Sequence, residues 1–391
     1  MNICFLAHLP IIPYVGGIQR VTTILSREFS RRGHSVTYLC YDASCKGMIE
    51  NHEIEYPQYF IDIYADDASD LLHSFVKKNE IDCIISQAQD KKSIMLLRML
   101  PSFVKVISVH HTMPFPFHTP SRKQIWREFP SFSLKILIYK LAILLFPSIY
   151  VNYAIKKECK LYYETLESTD RFVYLTESSF PRILRFMPDF PREKLVAINN
   201  PNTFDVIDTP RFVSKKNIML WVGRVDHNKN CLDFIKAWRL FSVKYPDWSA
   251  IIAGDGSELQ KCISWSKANK VTNLTFLGYC NDVAKLYRNA KIFVSTSFSE
   301  GWSMVLCEAL SMGCIPCVYN TFDALNDIVK DGVNGLLSNP NYTDLYNKLV
   351  TLVSDQEKME QISVNTVESV ARFSVTKICD QWENLLNNIE K

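Results

Sequence analysis

A chain of 391 residues, 47% hydrophobic and 22% charged, is too long for one compact core and too apolar for a disordered one, so two globular domains of ordinary size are expected. The net charge of +3, from 44 basic and 41 acidic side chains, excludes a general pull toward nucleic acid. Twelve cysteines, several inside apolar runs such as Ile3-Cys4-Phe5, read as reduced core residues of a cytosolic protein; Cys314 and Cys317 have no second pair to complete a zinc site.

The N-terminal apolar stretch has no basic residue before Arg20 and is broken by His8, Pro10 and Pro13, so it reads as a strand and not as a secretion signal. Residues 2–7 predict that strand. Residues 18–32 predict a helix with Ile18, Val21, Ile24, Leu25 and Phe29 on one face, and 35–40 a second strand after Gly33 as helix stop. Gly16 and Gly17 stand between strand and helix, where the lack of a Cβ lets backbone approach a ligand, although no GxGxxG pattern is present. Further strands are predicted at 81–86 and 104–109, the latter ending on His110 and His111, in the alternation of a parallel sheet covered on both faces.

Residues 120–160 hold eight basic side chains against two acidic ones, a local +6, around an apolar run from Ile136 to Val151. Lys140 and Pro147 interrupt that run, which falls short of the ~20 residues of a spanning helix. Peripheral contact with an anionic membrane is one expectation for it, and packing onto the N-terminal sheet the other. From Asn199 to Pro210 asparagines and prolines break both periodicities, dividing an N-terminal domain of residues 1–200 from a C-terminal one of residues 211–373. The rhythm restarts with strands predicted at 217–223, 249–253, 273–277, 291–296 and 314–319, a second Rossmann-like sheet, before a last helix at about 374–391. Ligands of open α/β sheets bind outside the carboxyl ends of the strands, so a cleft there is expected to hold the chemistry.

The densest cluster of such chemistry is Ser299-Glu300-Gly301-Trp302-Ser303-Met304-Val305-Leu306-Cys307-Glu308, two glutamates eight positions apart across a strand end and a helix start. Backbone N–H groups around Ser303, Met304 and Val305 have no partner within the first turn and can meet phosphate oxygens, while carboxylates meet hydroxyls. One anion site and two hydroxyl acceptors describe a nucleoside diphosphate sugar. Arg224 and Lys229, after the strand at 217–223, are placed to stabilise a departing diphosphate. No Asp-x-Asp triplet occurs, so the usual carboxylate pair for Mg²⁺ or Mn²⁺ is missing and neither metal nor other cofactor is expected.

Together with Ile251-Ile252-Ala253-Gly254-Asp255-Gly256, Thr275-Phe276-Leu277-Gly278-Tyr279 and Asp331-Gly332-Val333-Asn334-Gly335-Leu336-Leu337, this set resembles the retaining glycosyltransferases of family four, glycosyl transferases group 1. That family includes bacterial enzymes of lipid-linked oligosaccharide and surface polysaccharide assembly. The resemblance runs from about residue 1 to 375 and is strongest from 217 to 337. It implies a GT-B fold, two Rossmann-like, doubly wound parallel-sheet domains facing a cleft, the first (1–200) binding the acceptor and the second (211–373) the nucleotide sugar, with the last helix crossing back onto the first domain. It further implies Arg224 and Lys229 on the diphosphate, Glu300 on the transferred sugar, Glu308 on the ribose, and Tyr279, Cys280, Asn281 and Asp282 near the base. Gly16 and Gly17 would lie beside donor phosphate and acceptor. One histidine would contact the donor sugar; the register favours His110, with His111 in reserve.

The implied activity is metal-independent, retaining transfer of a hexosyl or N-acetylhexosaminyl group from a nucleotide sugar, by front-face attack in which a donor phosphate oxygen takes the acceptor's proton. The implied acceptor is a polyprenyl-diphosphate-linked glycan at the cytoplasmic face of the inner membrane. The alternatives are a GT-B nucleotide-sugar epimerase, a phosphorylase, for which no pyridoxal-phosphate lysine is identified, and a non-catalytic sugar-nucleotide-binding subunit.

Overall fold

The computed structural model describes residues 1–13, 16–42, 44, 48, 55–116, 147–204 and 212–389. It divides into two compact units, Met1–Ala197 with the end of the chain from Asn387, and Ile198–Leu386. The apolar run up to Phe146, the basic residues from Arg122 to Lys140 and the join at 205–211 lie outside the described residues. No helix among the described residues is long and apolar enough to cross a membrane.

The first unit is a seven-stranded parallel sheet of β1 (Asn2–Ala7), β2 (Ser35–Cys40), β3 (Gln58–Phe60), β4 (Cys83–Ser86), β5 (Lys105–His110), β6 (Arg171–Tyr174) and β7 (Leu195–Ala197), in the order β3-β2-β1-β4-β5-β6-β7. Its principal helices are α1 (Gly17–Arg31), α2 (Ala68–Lys78), α3 (Lys91–Arg98), α4 (Pro147–Leu166) and α5 (Phe180–Phe186). Ile3, Cys4, Phe5 and Leu6 are fully buried, because a central parallel strand is covered on both faces and must be apolar throughout. Helix α1 sets Val21, Leu25 and Phe29 against the sheet, with Phe29 stacked 6.3 Å from Phe5. Gly33 stops the helix in the left-handed region, φ +89°, while His34 N–H donates back to the Phe29 carbonyl at 3.0 Å.

The second unit repeats the plan with β8 (Lys216–Val222), β9 (Ser249–Ala253), β10 (Leu274–Gly278), β11 (Ala290–Ser295), β12 (Ile315–Tyr319) and β13 (Leu336–Ser338), in the parallel order β10-β9-β8-β11-β12-β13. The helices are α6 (Cys231–Lys244), α7 (Leu259–Ala268), α8 (Val283–Asn289), α9 (Met304–Ser311), α10 (Leu325–Ile328), α11 (Tyr342–Val353), α12 (Gln356–Val370) and α13 (Val375–Asn387). Trp221, Phe234, Trp238 and Phe241 anchor the core between β8 and α6. A buried lysine closes helix α8: Lys215 Nζ donates to the carbonyls of Tyr287, Arg288 and Ala290 at 2.7, 3.2 and 3.1 Å, and burial pushes its pKa down. Cys314 serves the same turn, its thiol donating to the Tyr287 carbonyl at 3.0 Å.

Both sheets run outward in opposite directions from a central pair, β1 and β4 in the first and β8 and β11 in the second. At such a reversal the two loops leave toward opposite faces and open a crevice at the carboxyl ends. The predicted strands are present within a residue or two of their expected bounds. The structure adds β3, β6, β7 and β13, each of only three or four residues.

Candidate active site

In the second unit the crevice is built by the loops after β8, β9 and β11. Gly254 has φ +153°, and a Cβ there would sit 1.8 Å from the Gly223 carbonyl oxygen, so only glycine allows the two loops to touch. Gly223 N–H then donates to the Ala253 carbonyl at 3.1 Å and Val225 N–H to the Asp255 carbonyl at 2.8 Å. Asp226 holds the next turn, one oxygen accepting from Arg224 Nε at 2.5 Å and the other from the Lys229 N–H at 2.9 Å. Asn228 and Thr296 tie this loop to the one after β11: Asn228 Nδ2 donates to the Ser299 carbonyl at 2.7 Å, and Thr296 Oγ1 to the Lys229 and Asn230 carbonyls at 3.1 and 2.9 Å.

These ties bring Lys229 Nζ to 3.0 Å from Glu300 Oε2, with the two side chains 21% and 8% exposed. Gly301 and Trp302 lead from Glu300 to Ser303, which precedes Met304 at the start of α9. The helical ladder there begins with Cys307 N–H donating to the Ser303 carbonyl, so the N–H groups of Met304 and Val305 belong to the open first turn. Around this point Glu300 Oε1, Ser303 Oγ and His227 Nε2 are buried without a hydrogen-bond partner. Buried polar atoms are normally paired; three unpaired ones beside an ion pair and a helix N-terminus mark a place shaped for a polar, anionic ligand. Arg224, 75% exposed, is held by Asp226 on the same loop as Lys229.

Two predicted residues take other places. Glu308 is 1% exposed; its Oε1 accepts from Thr203 Oγ1 at 2.7 Å and its Oε2 from the Tyr287 hydroxyl at 3.3 Å, so a ribose hydroxyl would share this carboxylate with those partners. The physical reason is its place on the buried face of α9, where desolvation demands fixed partners. Asp282 is the cap of α8, accepting from Lys285 N–H at 3.2 Å, beside half-buried Cys280 and exposed Tyr279.

In the first unit a cavity of about 470 Å³ lies at the β1/β4 crevice, lined by His8, Gln19, Gln87, Gln89, Asp90 and His111, with Ile11 and Ile18 as its apolar side. Gly16 and Gly17 come immediately before Ile18 and Gln19 of that lining. Gly16 is extended, where a Cβ would meet the end of the Gln19 side chain at 2.7 Å, and a Cβ on Gly17 would meet nothing within 4 Å, so neither glycine is demanded by the backbone. His111 Nε2 pairs with Gln87 Oε1, and burial pushes its pKa down to about 4, leaving a neutral ring whose Nδ1 is an acceptor.

His110, the residue favoured by register, faces elsewhere. It is 4% exposed and sandwiched by Tyr174 and Tyr162 at ring distances of 4.6 and 5.0 Å, and burial pushes its pKa down to about 3. Strand alternation accounts for the swap: the last residue of β5 points to α4, and the residue after it points into the crevice. A group that sequence reasoning missed is His8, at the carboxyl tip of β1, with Nε2 3.4 Å from Asp42 and Nδ1 3.6 Å from Asp90.

Residues 205–368 match the family model described as glycosyl transferases group 1. Among relatives, an Escherichia coli protein named UDP-Gal:alpha-D-GlcNAc-diphosphoundecaprenol alpha-1,3-galactosyltransferase is 24% identical over 97% of this chain and 96% of its own. A Campylobacter jejuni alpha-1,4-N-acetyl-D-galactosaminyltransferase, named for an undecaprenol-linked substrate, is 29% identical over 51% of this chain, which spans little more than half of that relative, 56%. Among solved structures, Anabaena HepE in complex with UDP superposes with a TM-score of 0.74 at 18% identity, over 99% of this chain and 100% of that one, a likeness of fold. The second unit thus belongs to the glycosyl transferases group 1 family, and the chain has the GT-B fold of two Rossmann-like parallel-sheet domains.

Proposed function

We propose that the protein is a retaining glycosyltransferase that moves a sugar from a nucleoside diphosphate donor to a hydroxyl of a lipid-linked glycan. The observation that carries this reading is the Lys229–Glu300 pair at the β8/β11 crevice, beside the open first turn of α9. A diphosphate would meet the α9 N–H groups, Lys229 and Arg224, which oppose the charge that builds on it as the glycosidic bond breaks. Glu300 Oε1, buried and unpaired, would accept from a hydroxyl of the transferred sugar. Within the first unit we assign the site histidine to His111, whose neutral Nδ1 can accept from a hydroxyl at the crevice. With cations and a helix start on the diphosphate, no metal is required.

The lipid-linked acceptor is favoured by the naming of both relatives for undecaprenol-linked substrates. Exposed Lys156, Lys157 and Lys160 on α4 would add contact with anionic lipid, worth about 1 kcal/mol each near the surface. The test is a transfer assay with UDP and GDP sugars and a polyprenyl-diphosphate-linked saccharide, with the anomeric configuration of the product read by NMR. A new α-linkage from an α-linked donor, formed in excess EDTA, supports the reading; an inverted product or hydrolysis alone counts against it.

A further inference from the structure

Two loops of the second unit meet along a seam, residues 225–230 after β8 and 296–300 after β11. They are held in register. Phe298 N–H donates to the Asn228 carbonyl at 2.8 Å and Asn228 Nδ2 to the Ser299 carbonyl at 2.7 Å, while Lys229 Nζ lies 3.0 Å from Glu300. One step back along the same seam stands His227, its ring centroid 5.6 Å from that of Phe298. The residue two places before the cation therefore packs on the residue two places before the carboxylate.

The backbone leaves His227 little freedom. On one side of it Val225 N–H donates to the Asp255 carbonyl at 2.8 Å; on the other, Asp226 accepts from Lys229 N–H at 2.9 Å and Asn230 N–H donates to the Asp226 carbonyl at 3.2 Å. Thr296, fully buried, fixes the end of this turn through the Lys229 and Asn230 carbonyls. With the chain held on both sides and the ring against Phe298, Nε2 is buried and has no partner. An unpaired buried nitrogen costs stability, and a phenylalanine would fill the same place beside Phe298 without that cost. What explains a histidine here is the group that Nε2 meets when a ligand is bound. Glu300 Oε1, likewise buried and unpaired, belongs to the loop on which His227 packs.

Resting on the glycosyltransferase reading, we propose that His227 is a further donor-recognition residue: its Nε2 hydrogen-bonds an oxygen of the nucleotide sugar next to the Lys229–Glu300 pair. An imidazole nitrogen can donate to a diphosphate oxygen and can donate to or accept from a sugar hydroxyl, so the shared chemistry is an oxygen of the donor.

The experiment is calorimetric titration of the full chain with UDP, GDP, UDP-glucose, UDP-N-acetylglucosamine and GDP-mannose, on wild type, His227→Phe, His227→Gln and Lys229→Ala, with thermal melting alongside. His227→Phe keeps a ring on Phe298 and deletes both nitrogens; His227→Gln loses the ring and restores an amide nitrogen at similar reach. The phenylalanine variant should melt at or above wild type and yet bind the nucleotide sugar about tenfold more weakly, the loss of one hydrogen bond, and the glutamine variant should recover part of the affinity. A loss already present with free UDP or GDP assigns the contact to the diphosphate, and a loss confined to the sugar nucleotides assigns it to the transferred sugar. In the transfer assay KM for the donor should rise in His227→Phe while KM for the acceptor stays unchanged. Binding that depends on Lys229 but is as tight in His227→Phe as in wild type would overturn the assignment of His227 alone, as would an affinity that follows the melting temperature across the two His227 variants. A wild type that binds none of the probes, or binds them regardless of Lys229, would remove the glycosyltransferase reading and this proposal with it.

Discussion

The two sheets share one strand order and one location for their crevice, but they fill it with opposite chemistry. In the second unit the reversal between β8 and β11 gathers Lys229, Arg224 and a helix N-terminus around a buried carboxylate. In the first unit the reversal between β1 and β4 gathers glutamines and histidines, with the carboxylates of Asp42 and Asp90 beside His8. The fold decides where a ligand goes; the residues in the first few positions after each strand decide its charge.

The largest effect should come from the cationic crevice. Lys229→Ala removes charge stabilisation from the leaving diphosphate and leaves Glu300, 8% exposed, without its partner, so the turnover rate should fall by ~10²–10³-fold. A single-turnover assay at saturating donor reads this; a change of less than a few-fold would erase the contrast between the two crevices.

Next in size is the backbone contact that shapes that crevice. Gly254→Ala places a methyl group against the Gly223 carbonyl at a backbone angle disfavoured for side chains, and stability should fall by about 3 kcal/mol or more. Thermal or urea unfolding measures it. By contrast, Gly17→Ala, where a Cβ has open space, should fold normally.

The histidine pair of the first unit gives a pH signature. Burial holds His110 near 3 and His111 near 4, below the ~6.5 of an unfolded chain. The unfolded state therefore binds more protons below pH 6.5, so stability is fully present above that pH and is lost as pH falls toward 4. The slope is about 1.4 kcal/mol per pH unit for each histidine. His110→Phe, which keeps an aromatic ring between Tyr162 and Tyr174, should flatten the acid limb by about half. An unchanged limb in urea unfolding from pH 7 to 4.5 would show that this ring is not held neutral.

A smaller effect concerns Glu308. Thr203→Val deletes the hydroxyl that donates to its buried Oε1 and should cost about 1–3 kcal/mol. If the variant binds UDP more tightly than wild type, Thr203 and a ribose compete for the same carboxylate.

Much of this was legible in the sequence, and the gaps have physical causes. Central strands such as Ile3-Cys4-Phe5-Leu6 must be apolar on both faces, so they stand out as unbroken runs, and Lys229 and Glu300 are found just beyond the carboxyl ends of such runs. Edge strands like Gln58–Phe60 are half-exposed and too short to carry a period. The cluster of His8, Asp42 and Asp90 was missed because its members become neighbours only once the order β2-β1-β4 is known; the signal was that each lies just past a strand tip. His110 and His111 are adjacent in sequence, and choosing between them needs the parity of β5 at its last residue. The fate of Glu308 depends on Thr203, 105 positions away, and on Tyr287 in another helix.

If the second unit holds a nucleoside diphosphate by Lys229 and the α9 start, with Glu300 reserved for the sugar, the two residues must separate in a binding experiment without sugar. Calorimetric titration of UDP and GDP into wild type, Lys229→Ala and Glu300→Gln, all in excess EDTA, tests this directly. Metal-free binding of one diphosphate is expected, weakened at least tenfold by Lys229→Ala and nearly unchanged by Glu300→Gln. Binding that requires Mn²⁺, or that is indifferent to Lys229, would contradict it.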